Sequence, residues 1–482
     1  MTYKLRRENR TEVLKALREG EYEAITTSGQ SAVDALVHLA IEIGVFEALE
    51  VIEVEREREG IPDDLLLRTL SVLPFVEAIG LSASAGRLFE DAAILLQIGF
   101  SIEQVQNGFN QRHRGQDKAQ ESKPCHPEVL RQELARIGVE SLAAFRQAVV
   151  KRLFERDLVK GKTYAIDGTG LKDRHRLVGI LNVHEDRALW LNWRLLDADA
   201  SEKGKGARVV RDMIEEILAL GGEDAMDWLL MDALYADGPL LAWLEYGHGI
   251  HALVRLPEDR DIYVDLEGLA RGGLLDWEGR TDVRYVCGRK QVRRVSVAMD
   301  GDLTSWESFL EAAANYGQDS PTLWGALIHA VDVEDQEEEE WGLVSTHAFR
   351  SGLAGYRKWR QRWRIENTGF RELKEGWNLE RAPWSYTEDT VVAARLAFTL
   401  VAFNVAQIAK TAQGRRLTDR GIRRLRRELA PEYGPAPVIV FTEDAFGVFH
   451  IEEVMEALGL PPAASLRRPP SNNQRARDRP LS

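Results

Sequence analysis

The sequence predicts an α/β protein, in which a mixed sheet with helices packed on it follows a helical N-terminal region and precedes a small C-terminal unit. Three observations predict it. Over residues 1–110 apolar side chains recur at spacings of three and four, as in Val33, Leu36, Leu39, Ile43, Phe46 and Leu49. From Lys160 the pattern changes to short apolar runs closed by turn residues. Between Asp259 and Thr346 apolar and polar residues alternate by twos between glycine turns.

Composition narrows the class before any motif is considered. A chain of 482 residues, 44% hydrophobic and 29% charged, is expected to be soluble and to form more than one domain. Two cysteines, Cys125 and Cys287, are too few for a disulfide scaffold or a Cys-rich zinc module. The opening MTYKLRRENRTEV has no apolar core, so no signal peptide is expected. Val391 to Ala409 approaches membrane-span length but holds Arg395, Asn404 and Gln407, which predicts a buried protein helix and no membrane partner. The expected compartment is the cytoplasm. A net charge of −14 argues against a nucleic-acid partner only until it is divided along the chain. Lys and Arg gather between Arg350 and Arg427, and phosphate contacts act locally, within a Debye length of ~8–10 Å.

The elements follow in order. Residues 1–127 read as a helical domain. Within it, Asp91 to Asn110 has the shape of a helix-turn-helix, two short amphipathic stretches broken by Gly99, with Ser101 capping the second; an ordinary helical hairpin fits the same block. Gln111 to Pro127 is polar and aperiodic, a loop. A connecting helix is expected over 128–159. In 160–258, TYAIDGTGL is a buried strand delivering Asp167. RLVGILNVHED and ALWLNWRLLD form a hairpin joined at His184–Arg187. Val209, Val210, Met213, Ile214, Ile217 and Leu218 mark an amphipathic helix, and DWLLMDALYAD is a second buried strand with Asp232 just past its apolar run. A short helix and the strand IHALVRLP complete this part. Residues 259–346 form a strand-rich segment, 347–412 return to helix, 413–460 hold a strand and a helix, and 461–482 form a proline-rich basic tail.

Three carboxylates stand out by context: Asp167 and Asp232 at strand ends, and Glu366 on a basic helix. Any one of them alone reads most simply as a cap or turn residue. Together they can meet above a sheet edge, and hard oxygen ligands of this kind suit Mg²⁺ or Mn²⁺. Around Glu366 the chain reads YRKWRQRWRIENTGFRELKEGW. At 100° per residue, Trp359, Arg362 and Glu366 fall within about 60° of one another. Arg362 can then clamp a phosphate while Trp359 packs on sugar or base; a salt-bridged helix with i,i+4 Arg–Glu pairing is the alternative.

At these residues the chain resembles the DDE transposases of bacterial insertion sequences, from the insertion-sequence-4-like group with a ribonuclease-H-like core. The matching pieces are AIDGTGL around Asp167, LLMDALYADGPLLAWL with HALVRLP around Asp232, and RWRIE–F–RELKEGW around Glu366. In that group a strand-rich insertion separates the second Asp from the Glu, and a Y-x2-R-x3-E-x6-K signature surrounds the Glu. Two departures are visible. Trp359 stands at the tyrosine position, with Tyr356 one turn earlier, and Lys374 lies one residue beyond the lysine position, which holds Leu373. On an ideal helix Lys374 would point about 80° away from Glu366. Thr368-Gly369 reads as a one-residue insertion, so a π-type bulge or kink is expected near Gly369.

The resemblance implies a ribonuclease-H-like mixed sheet with a β-rich insertion. It implies catalytic, metal-ligating Asp167, Asp232 and Glu366, as partners of two Mg²⁺ or Mn²⁺ ions, and DNA contacts from Trp359, Arg362, Arg364, Arg371 and Lys374. It further implies cutting of transposon ends, transfer of the freed 3′-hydroxyl into target DNA, terminal inverted repeats read by the N-terminal helices, backbone contacts from Arg415 to Arg427 and the tail, and a homodimer on double-stranded DNA at the bacterial nucleoid. Trp341 or Trp277 would be the aromatic for an unpaired base, although a core tryptophan is the simpler reading of each. Two rivals share these residues: a catalytically inactive transposase-derived regulator, and a ribonuclease-H-like nuclease without strand transfer.

Overall fold

The computed structural model describes residues 5–28, 31–54, 61–76, 81–108, 124–171, 174–197, 205–286, 289–334, 336–379, 388–412, 425 and 437–461. Two compact units result, one of residues 1–142, 382–409 and 420–482, the other of residues 143–381 and 410–419. The basic segment 415–427, apart from Leu425, and the tail from residue 462 lie outside the described residues.

The second unit is built on a nine-stranded sheet. Its strands are β1 (Thr163–Leu171), β2 (His175–Val183), β3 (Ala188–Asp197), β4 (Trp228–Met231), β5 (His251–Leu256), β6 (Trp277–Val286), β7 (Arg289–Leu303), β8 (Leu323–Asp332) and β9 (Glu338–Ser345). The spatial order is β3-β2-β1-β4-β5-β9-β8-β7-β6. β1, β2 and β3 are antiparallel neighbours, whereas β4 and β5 run parallel to β1. β4 lies beside β1 and not beside β3, which precedes it in the chain, and the helix Lys205–Gly221 makes that connection from β3 to β4. It buries Val210, Met213, Ile214 and Ile217, each contributing roughly 1.5–3 kcal/mol of burial. This five-strand arrangement is compatible with a ribonuclease-H-like transposase fold.

The remaining four strands continue the same sheet, because β9 pairs antiparallel with β5. The segment 259–346 also holds two helices, Asp261–Arg271 and Glu307–Ala314, which the alternation by twos did not announce. A buried carboxylate ties these strands to the following helix. Asp282 on β6, 2% exposed, accepts from the Tyr356 hydroxyl at 2.9 Å and pairs with Arg360 at 2.5 Å and Arg280 at 2.6 Å.

The first unit carries a four-stranded sheet in the order Arg7–Glu8, Ala445–Phe449, Val438–Phe441, Ala24–Thr27. The C-terminal segment, expected as a small unit of its own with one strand, contributes two strands to a sheet shared with N-terminal segments. A lone hairpin cannot cover both of its faces, and here both are apolar. Val438 and Val440 face Val13 and Leu17 on one side, while Ile439 and Phe441 face Ala93 and Leu96 on the other. The helix-turn-helix block folds as its caps dictate. Asp91 caps Ala92–Gln97, Gly99 turns the chain at φ +108°, and Ser101 forms a reciprocal capping box with Gln104 over Ile102–Asn107. One helix, Asp389–Thr411, is long and apolar enough to cross a membrane, and its window is 94% buried inside the protein.

Candidate active site

Asp167 does not end its strand. β1 runs on to Leu171 because its pairing with β2 continues to Leu171↔His175. Only the parallel ladder with β4 stops, at Ala165↔Leu230. Continuing that register by two residues sets Asp167 opposite Asp232, which directly follows Met231. Adjacent strands lie about 4.8 Å apart, so both aspartates stand at the carboxyl edge of neighbouring parallel strands.

Glu366 reaches the same edge on a helix that changes its winding. Gly352–Trp359 is α-helical, Arg360–Arg362 is a 3₁₀ turn, Ile365–Arg371 is a π-helix and Glu372–Gly376 is α again. The π turn falls where the extra residue near Gly369 called for it. Gly369 is buried against Trp190, where a Cβ would meet the indole Cζ2 at 2.8 Å. The wider turn brings Lys374 round to β1, and its Nζ donates to the Gly170 carbonyl at 3.1 Å.

Arg362 joins the acids. Its Nη1 donates to Asp167 Oδ2 at 2.9 Å and its Nη2 to Glu366 Oε1 at 2.5 Å. The guanidinium side chain is 5% exposed, whereas that of Glu366 is 46% exposed. Burial raises the Asp167 carboxyl; Arg362 and the Gly168 N–H, 2.7 Å from Oδ1, oppose the rise, and the charges of Asp232 and Glu366 add to it. All three acids therefore act on one electrostatic site. Tyr235, three residues past Asp232, is raised by burial and then by the charges of Asp167 and Asp232. Arg176 lies over Gly168, whose Cβ would meet its Nε at 2.6 Å.

The donor set at the edge is all carboxylate oxygen, which fits a hard divalent cation, and the Arg362 guanidinium stands in as a cation between two of the acids. Among the described residues no group of three or more carboxylate, imidazole or thiol side chains converges on one ion position.

The other expected DNA contacts fall in different surroundings. Trp359 is 4% exposed, beside Trp341 at 6.2 Å and under Arg362, whose Cζ lies 5.5 Å from its ring. Trp341 is buried at 6% and Trp277 is 43% exposed. Arg364 donates to the carbonyls of His184 and Glu185, closing the β2–β3 hairpin. Arg371 is exposed. Tyr235, Arg176 and Asp282 escaped the sequence reading. So did Lys358, whose Nζ donates to Thr163 Oγ1 at 2.8 Å and sits 4.7 Å from the Trp228 ring. Only the closeness of Tyr235 to Asp232 in the chain was available as a signal.

This strand order, with Asp167 and Asp232 on neighbouring parallel strands and Glu366 on a following helix, is compatible with a ribonuclease-H-like transposase fold. Residues 194–403 match the family model described as the transposase DDE domain. That match covers somewhat under half of the chain; Asp232, Arg362, Glu366 and Lys374 lie inside the matched span and Asp167 on its N-terminal side. Comparison with curated proteins gives no match.

Proposed function

We propose that the protein is a DNA transposase of the insertion-sequence-4-like group. It cuts transposon ends and transfers the freed 3′-hydroxyl strands into target DNA, with Asp167, Asp232 and Glu366 as its metal-ligating acids and β6–β9 as the strand-rich insertion. The observation that carries this reading is the parallel ladder of β1 and β4, which ends at Ala165↔Leu230 two residues short of Asp167 and Asp232, with the charges of Asp232 and Glu366 both acting on Asp167. Two divalent cations, Mg²⁺ or Mn²⁺, would supply Lewis-acid activation of the attacking oxygen and stabilisation of the leaving one.

The chain's own residues do the rest. Asp167 and Asp232 would hold the cations at the strand edge and Glu366 would complete the set from the helix. Arg362 and Lys374 grip phosphates beside the cut, Lys374 from its seat against β1. The N-terminal helices read the terminal inverted repeats, and breaking and joining two ends together calls for a homodimer on DNA.

The test is a strand-transfer assay with labelled duplexes carrying the inverted repeats that flank the gene, in Mg²⁺. Joined products are expected from the wild type, and Asp232→Ala should lose cleavage while retaining DNA binding. Cleavage without joining would favour a plain nuclease, and undiminished cleavage by Asp232→Ala would refute the site.

A further inference from the structure

We infer that Arg362 is the resident counter-cation of the resting site, and that it leaves Asp167 and Glu366 for a DNA phosphate when divalent cations load. The inference rests on the acid trio being the metal site, and it concerns how that site is kept closed. Arg362 is bound to both acids at once, through separate Nη nitrogens. It is nearly fully enclosed, and its Nε is buried with no partner among the described residues. The guanidinium is therefore held for its charge, in a seat that leaves one donor unused.

A guanidinium cannot shed its proton, so it is a permanent monovalent cation at this position. The oxygens facing it serve either Arg362 or an incoming ion. A divalent cation on Asp167 and Glu366 would meet a like charge within contact distance and drive it out. Once displaced, its planar fork matches a phosphate, which a neutral or shorter side chain would not do as well. The exposed half of Glu366 is the route by which ion or phosphate arrives.

Metal and DNA then pull Arg362 the same way, so each raises the affinity for the other by the same factor. Without DNA, the ion pairs hold metal affinity low. Arg362 is in this sense a latch that metal and substrate open together.

The experiment is a calorimetric Mn²⁺ titration of the full chain without DNA, for the wild type, Arg362→Gln and Arg362→Lys, each repeated with Asp167→Asn. Arg362→Gln should bind Mn²⁺ on the order of tenfold more tightly or better, since a unit charge ~4 Å away has been removed. Arg362→Lys should fall between. Equal or weaker binding by Arg362→Gln overturns the latch, while the acid site stands if Asp167→Asn still abolishes binding. Mn²⁺ binding indifferent to Asp167→Asn in every background overturns the acid site instead. Should Arg362→Gln fail to fold, phenylglyoxal modification of the wild type with peptide mapping decides the matter. Arg362 should be protected in EDTA and modified in saturating Mg²⁺; continued protection in Mg²⁺ overturns the exchange.

Discussion

Replacing Gly369 by valine is expected to damage both stability and chemistry. A Cβ at this position would lie 2.8 Å from Trp190 Cζ2, about 0.6 Å inside the 3.4 Å at which ordinary contact begins. The indole has nowhere to go. It is fully buried, Phe370 packs 5.2 Å away, and a Cβ on Gly179 would already stand 2.4 Å from its Cζ3. Overpacking of this kind costs about 1–3 kcal/mol, and the two further methyls of valine move the expectation to roughly 2–3 kcal/mol. For a unit of this size each kcal/mol lowers Tm by roughly 2–4 °C, so calorimetry should show a fall of roughly 4–12 °C. The π turn would also lift from the sheet and carry Glu366 and Lys374 with it; a misplacement of about 1 Å can cost on the order of 10²-fold in rate. Gly268→Ala is the control. It lies inside the helix Asp261–Arg271 with nothing within 4 Å of its Cβ, and should gain about 0.5–1 kcal/mol. A Gly369→Val protein that melts with the wild type would refute the packing argument.

Lys410 and Glu372 form a buried ion pair at 2.9 Å, with side chains 3% and 7% exposed. Lys410→Met should cost about 3–5 kcal/mol in urea unfolding, and the double variant with Glu372→Leu should recover much of it. Full loss persisting in the double variant would show that the charge pairing is not the cause. Burial, opposed by Asp227, lowers the Lys358 ammonium from 10.5 to about 8. The unfolded chain binds the extra proton between those values, so this group's contribution to stability rises with pH from about 8 to 10.5. The wild-type-minus-Lys358→Met difference in unfolding free energy should climb across that window; a flat or falling difference contradicts the assignment. Asp282→Asn should loosen Arg280 and Arg360 and weaken the anchor of the Glu366 helix, at about 1–3 kcal/mol by denaturant melt. No loss would make that anchor dispensable.

Much of the site's framework was legible because it is local. The apolar run before Asp232 ends at Met231, and the extra residue at Thr368-Gly369 could be absorbed only by a widened turn. The cap at Ser101 likewise carried its own geometry. What stayed hidden is long-range. Spacing on the helix suggested only the pair Arg362–Glu366, since Asp167 lies 195 residues away and reaches Arg362 through the sheet. Lys358 looked like one more basic residue until tertiary packing set it against Trp228. The strands Arg7–Glu8 and Ala24–Thr27 are too short to show a period, and they exist because Val438–Phe441 and Ala445–Phe449 need partners from the other end of the chain.

Anomalous diffraction from crystals equilibrated with Mn²⁺ addresses the carboxylate trio without relying on turnover or on knowing the DNA ends. Peaks at the carboxyl edge of β1 and β4, with Asp167, Asp232 and Glu366 oxygens within about 2.0–2.6 Å of them, are the expected result. Manganese bound elsewhere, with the Asp232 carboxylate turned from an edge that stays empty, would contradict it.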